Sequence, residues 1–292
     1  MAASSDHTNF ARELWRRVES IHAVTYFAHE STETAAQLGV RGFWRTYFGY
    51  RAAPLGACSA ATVTAAFFGF SSAMVSRSVP SIWELASPAE LIEARHTAAA
   101  TALRRIAGEE IDALTRNGWA IEVLAEAVRA AIGGSRALFL ANRDLAPPDD
   151  PVAALWQLAT TVREHRGDGH VAAWTAQGFA AVDVAVLFVA TGGTSREALQ
   201  PNRGWTDDEW DDATERLTHQ QLLAAGTPTR AGRDVVAQVE SITDALATSP
   251  FTALDDKERH RLLDALTPAA QTITVSAAIP AVNPMGLPLV AG

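Results

Sequence analysis

The sequence has almost no lysine and almost no cysteine. One lysine, Lys257, stands against 23 arginines among the 292 residues, and Cys58 is the sole cysteine. A lone cysteine forms no internal disulfide and suits a reducing compartment. No GxxxxGKS/T or GxGxxG motif is present, so a phosphate-binding P-loop and Schiff-base lysine chemistry are not expected. Acid–base chemistry would therefore depend on His, Asp, Glu or Tyr.

Long hydrophobic runs and excess positive charge are lacking as well. The apolar segment 179–191 is too short to span a bilayer, and the chain starts with polar MAASSDHTNF rather than a signal sequence. The net charge is −9, so nucleic-acid binding would need a local basic patch. With 48% hydrophobic and 20% charged residues, the chain is too apolar to be disordered. We therefore expect a cytoplasmic globular protein that does not enter membranes.

Helical periodicity runs through almost the whole sequence. Phe10, Leu14 and Val18 recur at a spacing of four residues, and no segment before residue 220 alternates as a strand does. SPAE at 87–90 and TDDE at 206–209 are capping boxes, which mark the starts of helices. The sequence predicts a mainly all-α fold with at most a small β-wing. In the second half of the chain, helices are expected at 151–166, 170–177, 179–191, 207–219 and 231–247.

A proline-rich segment divides the sequence. APPDDP at 146–151 is the best candidate for a linker. It separates an aromatic-rich helical domain, 1–146, from a second domain, 147–292, which ends in the apolar and proline-containing tail ITVSAAIPAVNPMGLPLVAG. We expect this tail to pack back over the domain junction, because a free apolar tail favours aggregation.

The second domain also resembles a known architecture. Its predicted elements are, in order, a helix, a short helix, a capped helix, the pair LL, a turn, the segment TRAGR and a long helix. This order resembles the winged helix-turn-helix of MarR-type regulators. More widely, the chain resembles an actinobacterial family of two-domain helical proteins. The segments that carry this resemblance are HAVTYF, RGFWRTYFGYRAAPLG, REHRGDGHVAA, QPNRGWTDDEW and NPMGLP. The resemblance implies an amino-terminal helical bundle followed by a winged-helix-like domain.

The candidate recognition helix, 207–219, is strongly acidic. It holds six acids and one arginine, whereas a DNA-contacting helix lies against phosphates and needs positive charge. The wing segment THQQLLAAGTPTRAG contains a proline and lacks a basic tip. Nearby positive charge comes from Arg196, Arg203, Arg230 and Arg233. The charge of this helix therefore argues against DNA as a partner, and a MarR-like DNA-binding regulator is the alternative rather than the main hypothesis.

The stretch REHRGDGH, residues 163–170, concentrates ionisable side chains. Helical phase from Val162 places Arg166 on the buried face, where it needs an anionic partner, and puts His165 on the flank of that face. Arg163 and Glu164 lie toward the polar side, where a solvated helix end is expected. Arg163 is nevertheless a candidate ligand contact.

Three further residues complete a candidate catalytic set. Asp168 lies between two glycines and is expected to cap a helix that begins at His170, whose pKa the helix dipole would lower. Asp183 is the one charge in FAAVDVAVLFVAT and needs a partner, such as Arg166 or Arg163, or a raised pKa. The candidate catalytic residues are His170, Asp168, Asp183 and His165.

The amino-terminal half supplies aromatic and cationic candidates. All three tyrosines lie in the first fifty residues, and RGFWRTYFGYR is aromatic on every face with arginines at both ends. This composition suits a pocket for an aromatic or acidic small molecule, and equally an aromatic core capped by arginines. The candidate substrate-binding residues are Arg166, Arg163, His22, Tyr26, Arg41, Trp44, Tyr47, Tyr50 and Arg51.

These features favour a small-molecule-binding helical protein. In its sharper form it is a cofactor-free acid–base enzyme for cyclisation, condensation, isomerisation or elimination on a repurposed winged-helix scaffold. In the simpler form of this hypothesis, the pocket binds a ligand without turnover. The alternatives to a small-molecule-binding protein are a transcriptional regulator and a structural interaction module. No cofactor and no metal site are predicted, since HExxH and CxxC are absent, although a metal- or haem-dependent protein using His165, His170 or His22 is left open. A homodimer is also left open.

Overall fold

The computed structural model describes residues 5–276 and 278–280, and nearly all of their regular structure is α-helical. The Ser87 hydroxyl accepts from the backbone N–H of Glu90, and the Glu90 carboxylate accepts from that of Ser87, so the predicted capping box starts a long helix. The helices of the first half are α1 (Ser5–Phe27), α2 (His29–Gln37), α3 (Phe43–Ala52), α4 (Ala60–Phe67), α5 (Ser72–Ser76), α6 (Pro88–Asn117), α7 (Trp119–Ala130) and α8 (Ala137–Arg143).

The second half adds six helices and one short hairpin. These elements are α9 (Pro151–Ala176), α10 (Ala181–Ala190), α11 (Arg196–Arg203), α12 (Asp207–His219), β1 (Leu223–Ala224), β2 (Thr227–Pro228), α13 (Arg230–Leu246) and α14 (Asp256–Val275). The two strands are antiparallel and form the one sheet of the described residues. The predicted all-α fold with at most a small β-wing is confirmed. The tail from residue 281, with its predicted packing, lies outside the described residues.

Helix α9 is continuous where the sequence predicted two helices and a turn. It passes through Gly167, Asp168 and Gly169 without a break. A glycine disfavours a helix by roughly 1 kcal/mol, but packing along α9 outweighs this local preference. At Gly169 the packing is close, because an added Cβ would lie 2.9 Å from Nη1 of Arg136. The predicted helix start at His170 is therefore wrong.

The largest apolar core draws on both halves of the sequence. Helices α1, α6, α7, α9 and α14 build it around residues such as Leu14, Trp156 and Leu266. The predicted linker only joins α8 to α9, and Asp150 within it is the N-cap of α9. The predicted division between residues 146 and 147 therefore falls inside one shared core, which we call the bundle core.

Residues 181–246, named the hairpin module, have an apolar core of their own. Helices α10 to α13 and the hairpin surround Leu187, Trp210, Leu217 and Val239, which are all buried. Trp174, near the end of α9, packs into the same core. Helix α9 therefore takes part in both cores. The module contains helices followed by a short hairpin and a long helix, in the order that the sequence predicts.

Close backbone contacts hold the hairpin module in place. An added Cβ at Gly232 would lie 2.2 Å from the carbonyl oxygen of Leu222, so glycine is needed where α13 passes the hairpin. On the other side of the module, the backbone N–H of Ser71 donates to the carbonyl of Arg203 at 2.9 Å. These contacts fix the hairpin to α13 and the end of α11 to the start of α5.

No single helix of the described residues is long and apolar enough to cross a membrane. Helices α9 and α10 meet this criterion together by length and composition, but the chain bends by 99° between them.

Candidate functional site

A series of buried ion pairs joins α1, α3 and α9. The carboxylate of Glu164 accepts two hydrogen bonds from Arg51, from Nε at 2.9 Å and from Nη2 at 3.1 Å. Arg163 donates from Nη1 to the same carboxylate at 3.0 Å and from Nε to Glu19 at 3.1 Å. Glu164 is only 1% exposed. The prediction of a solvated helix end for Arg163 and Glu164 is therefore wrong, because α1 and α3 supply buried partners for both.

Burial and opposite charge act against each other on Glu164. Burial raises the pKa of a carboxyl group, but the charges of Arg51 and Arg163 outweigh it and hold the pKa of Glu164 well below its usual range. The same pairing keeps the pKa of Arg51 above its ordinary value, although burial alone would lower it. Both groups are charged at neutral pH, so the loss of one would leave the other buried without its partner.

A small cavity lies beside this network, and we call it the junction cavity. Ten side chains from α1, α3, α6, α8 and α9 line it. Its volume is about 10 Å³, which leaves room for one water-sized group. The polar groups that matter most in its lining are Arg51, Arg95, Glu164, Thr25, His22 and Tyr26.

His22 and Tyr26 contribute hydrogen bonds to the junction cavity rather than charge. Nδ1 of His22 lies 2.9 Å from the hydroxyl of Thr160, and Nε2 lies 2.9 Å from the hydroxyl of Tyr26. Burial lowers the pKa of His22 well below its ordinary value, and the charge of Arg163 acts in the same direction. Burial also raises the pKa of Tyr26 far above its ordinary value. Both side chains are therefore neutral at pH 7.

Arg95 is a buried cation with no carboxylate bound to it in the described part of the chain. Its Nη1 donates to the carbonyl of Tyr50, and its Nη2 donates to the side-chain oxygens of Asn142 and Gln157, each at 2.9 Å. Its Nε has no hydrogen-bond partner. Burial lowers the pKa of Arg95 to about 10, which still leaves it charged at neutral pH.

Arg203, the last residue of α11, connects the hairpin module to the buried network. Its guanidinium group lies 4.4 Å from the centroid of the Phe70 ring, which packs against Tyr47 with 5.4 Å between the ring centroids. The hydroxyl of Tyr47 in turn accepts from Nη1 of Arg51 at 3.2 Å. A continuous series of contacts therefore runs from α11 to the junction cavity.

The structure brings together only part of the predicted amino-terminal set. Trp44 packs in an aromatic cluster with Phe48 and Phe70, and Arg41 is exposed. Tyr47 lies one hydrogen bond away from the cavity. The predicted residues that line the junction cavity are His22, Tyr26, Tyr50 and Arg51.

Arg166 faces inward, as its helical phase predicts, but it does not line the junction cavity. Its Nη2 donates to Glu240 at 2.9 Å and to Asp244 at 3.0 Å, both on α13. The same guanidinium lies 4.2 Å from the centroid of the Trp15 ring. Nε of Arg12 on α1 also donates to Asp244, at 2.6 Å. Arg166 therefore ties α9 to α13.

His170 is held by two neighbours that fix its tautomer. Nε1 of Trp174 donates to Nε2 of His170 at 3.0 Å, and an indole N–H acts only as a donor. The ring proton therefore lies on Nδ1, 3.0 Å from the hydroxyl of Thr243. Burial, and not the predicted helix dipole, lowers the pKa of His170 to about 4. Because Trp174 occupies the basic nitrogen, His170 has no free lone pair to act as a general base.

Asp168 and His165 sit against α8. Asp168 caps this helix instead of the predicted one, since its Oδ2 accepts from the backbone N–H of Phe139 at 3.0 Å. Burial raises the pKa of Asp168 to about 6. The His165 ring packs edge-on against Phe139, and its Nε2 lies 3.3 Å from the hydroxyl of Ser249. Burial lowers the pKa of His165 to about 3.

Asp183 belongs to the hairpin module. It accepts from Nη2 of Arg216 on α12 at 2.7 Å and from the backbone N–H of Ala180 at 3.0 Å. The predicted pairing with Arg166 or Arg163 is wrong, because α10 packs against α12 and not against that part of α9. The four predicted catalytic residues therefore have separate partners, and none of them lines the junction cavity.

Helix α12 turns its acidic side chains to solvent. Its apolar stripe of Trp210, Ala213 and Leu217 faces the core of the hairpin module. Arg196 of α11 offsets part of the negative charge, because its Nη2 donates to Asp207 at 2.9 Å. The hairpin turn, AAGT at 224–227, carries no charge. The exposed acids of α12 are Asp207, Asp208, Glu209, Asp211, Asp212 and Glu215.

A metal site finds no support in the part of the chain that the structure describes. Residues 5–276 and 278–280 contain no group of three His, Cys, Asp or Glu side chains that could hold a metal ion. The histidines considered for a metal or haem, His22, His165 and His170, hydrogen-bond to different neighbours.

Three residues of the network were not among the candidate site residues predicted from the sequence: Glu19, Arg95 and Arg203. A usable signal existed for Arg95, which lies four residues after Leu91 on the buried face of α6. This is the same helical phase that identified Arg166. Arg203 carried no such signal, because its role depends on how α11 docks against another part of the fold.

Comparison with known proteins bears on the whole chain. No curated protein and no solved structure matches it. A family model described as a helix-turn-helix family matches residues 11–280, a span that includes the bundle core as well as the hairpin module. The chain therefore belongs to this helix-turn-helix family.

Proposed function

We propose that this helix-turn-helix protein is ligand-responsive: a small acidic ligand binds in the junction cavity and alters the docking of the hairpin module. The observation that carries the proposal is the position of Arg203. The guanidinium group of Arg203 lies over the Phe70 ring, and Phe70 packs against Tyr47. The hydroxyl of Tyr47 accepts from Arg51, which lines the cavity. A ligand that changes the hydrogen bonds of Arg51 would therefore change the contacts that hold α11.

An acidic ligand fits the junction cavity better than an aromatic one. The volume of about 10 Å³ suits a water-sized group, and an aromatic ring would need the surrounding helices to move apart. Two cations, Arg51 and Arg95, line the cavity. The carboxylate that lines it, Glu164, is already bound by Arg51 and Arg163.

Binding without turnover is favoured over the acid–base enzyme. Asp168, Asp183 and His165 have their own partners on different helices. Nε2 of His170 already accepts from Trp174. A general base needs a free lone pair within reach of its substrate, and neither His170 nor His22 offers one in this arrangement.

The test follows ligand binding and the hairpin module together. Hydrogen exchange is measured with sodium formate, acetate, chloride and phosphate at one ionic strength. The wild type is compared with Arg203→Met and with the control Arg230→Met, whose side chain is 92% exposed on the same module. We expect an anion that stabilises the protein to slow exchange in α11 of the wild type and the control, but not of Arg203→Met.

Two outcomes would contradict this proposal. In the first, none of the four anions stabilises the wild type. In the second, an anion slows exchange in α1, α3 and α9 but leaves α11 unchanged in all three proteins.

A second candidate is a DNA-binding regulator of MarR type, and membership of a helix-turn-helix family is compatible with a DNA-binding regulator. Its recognition helix would be α12, whose exposed carboxylates repel phosphates. We therefore propose that α12 does not recognise DNA and expect no retardation of promoter DNA in about 50 mM salt. Retardation that weakens steeply as salt rises would instead support the regulator, with Arg230 and Arg233 at the start of α13 as its phosphate contacts.

A further inference from the structure

Two buried polar atoms beside the junction cavity lack hydrogen-bond partners among the residues that the structure describes. They are Nε of Arg95 and Oγ1 of Thr25, and both residues line the cavity. Arg95 is 2% exposed and Thr25 is 5% exposed. Buried N–H and O–H groups almost always find an acceptor, because leaving them unpaired is strongly unfavourable. An acceptor inside the cavity would satisfy both atoms.

The charge of Arg95 adds a second requirement. Its other N–H groups donate to a backbone carbonyl and to two amide oxygens, which are all neutral. The nearby carboxylate of Glu164 is bound by Arg51 and Arg163 instead. The positive charge of Arg95 is therefore buried without a matching negative charge, which a protein interior disfavours.

Counting the charges of the cavity lining and of its ion-pair partners gives the same result. His22 and Tyr26 are neutral and change nothing in the balance. The ionised members form an excess of one positive charge, since three arginines face two glutamates: Arg51, Arg95 and Arg163 against Glu19 and Glu164.

We propose that the junction cavity binds a monovalent anion of halide size, with chloride as its occupant. Such an anion accepts from Nε of Arg95 and from the hydroxyl of Thr25, and it balances the excess charge. The volume of about 10 Å³ holds one water-sized group, so a single-atom anion fits without movement of the lining helices, whereas phosphate, sulfate and carboxylates would need those helices to move apart. This inference rests on the proposed function, because it names the anion that binds in the same cavity.

The experiment replaces sodium gluconate by sodium chloride or bromide at constant ionic strength and follows the thermal unfolding of the full chain. We expect a saturable rise in Tm with either halide. Thr25→Val removes one hydrogen bond to the anion and should weaken halide binding roughly tenfold. Arg95 is left in place, because its contacts with α8 and α9 support the fold.

A matched control comes from Thr46. It is also buried and also has an unpartnered hydroxyl, but it does not line the cavity. Thr46→Val should therefore keep the halide response of the wild type. Crystals grown with bromide should show an anomalous peak beside Nε of Arg95 in Thr46→Val and a weaker one in Thr25→Val.

The outcomes separate this inference from the proposed function. If formate or acetate stabilises the protein and halides do not, the halide site is wrong while the proposed function stands. If no anion has an effect, the cavity holds water and both fail. An equal halide response in Thr25→Val and Thr46→Val would mark a general salt effect and overturn the site.

Discussion

Helices α9 and α12 both carry clusters of charge, but they place them in opposite environments. Helix α9 buries Glu164 and Arg166, and each is paired with residues far away in the sequence. Helix α12 exposes its acids, and one of them, Glu209, completes the capping box with Thr206 at the start of the same helix. Charge in the bundle therefore specifies long-range contacts, whereas charge on α12 acts mainly on local structure.

The two regions are therefore stabilised by different interactions. In the bundle, a buried ion pair is weak support in itself, but removal of one partner leaves an unpaired charge and is strongly destabilising. In the hairpin module, stability depends on an apolar core and on close backbone contacts, such as Gly232 against Leu222. Removal of a charge should therefore destabilise the bundle, and added side-chain volume should destabilise the hairpin module.

Acid is expected to have the largest effect, through the buried histidines of the bundle. Burial lowers the pKa of His96 to about 4 and that of His165 to about 3. Because both values lie below the ordinary 6.5, these residues support the fold fully above pH 6.5, and this contribution is lost as the pH falls toward 4. We expect a loss of about 2 kcal/mol per histidine at pH 5, measured by urea unfolding at pH 7.5 and pH 5.

Two variants check the source of the acid effect. His96→Gln should reduce the loss at pH 5 by about 2 kcal/mol and leave the part due to His165, whereas His219→Gln on α12 should not change it, since His219 is exposed. An unfolding free energy that stays constant from pH 7.5 to pH 5 would contradict the prediction.

Glu164→Gln comes next in size. The substitution removes the negative charge that Arg51 and Arg163 share, and we expect the unfolding free energy to fall by about 3–5 kcal/mol at pH 7.5. The matched control Glu215→Gln lies on the exposed face of α12 and should stay within about 0.5 kcal/mol of the wild type. Similar losses for both would erase the distinction between the two helices.

Gly232→Ala tests the backbone contact of the hairpin module. An added Cβ would lie 2.2 Å from the carbonyl oxygen of Leu222, so the hairpin or α13 must shift, with a loss of about 1–3 kcal/mol. Gly108→Ala in α6 is the control, because nothing lies within 4 Å of its added Cβ. We expect a gain of up to about 1 kcal/mol there. Chemical denaturation of both variants measures the difference, and equal effects would argue against the close contact.

Asp168→Asn should have the smallest effect and the opposite sign. Burial raises the pKa of Asp168 to about 6, above its ordinary value, so the support from this group is present below about pH 4 and is lost as the pH rises through 6. Asparagine keeps an oxygen for the N–H of Phe139 without a charge. We expect a gain of about 1 kcal/mol at pH 7.5 that disappears near pH 4 in urea titrations. A loss of stability at pH 7.5 would show that the ionised form is favoured.

The sequence predicted the fold where local signals decide it. The capping boxes at Ser87 and Thr206, the all-α class and the small hairpin are all confirmed. The helical phase also placed Arg166 correctly on a buried face. In each of these cases the signal lies within a few residues of the feature it predicts.

The site was less predictable because its contacts cross the whole chain. Gly167 and Gly169 favoured a turn on local grounds, yet packing carries α9 through both. This one difference invalidated the predicted cap at Asp168 and the predicted dipole effect on His170. The pairing of Glu164 with Arg51, 113 residues away, depends on how α3 docks and leaves no pattern in the sequence.

Helix α9 has a consequence for moving the hairpin module between proteins. Trp156 belongs to the bundle core, and Trp174 belongs to the core of the hairpin module. One continuous helix of about 39 Å therefore takes part in both cores. No flexible linker joins the hairpin module to the bundle at this point, and the direction of α9 sets the orientation of the module. A chimera that joins the hairpin module to a different bundle should therefore be spliced inside α9, before Trp174. The transferred segment then includes the Trp174 side chain and keeps the direction of the helix.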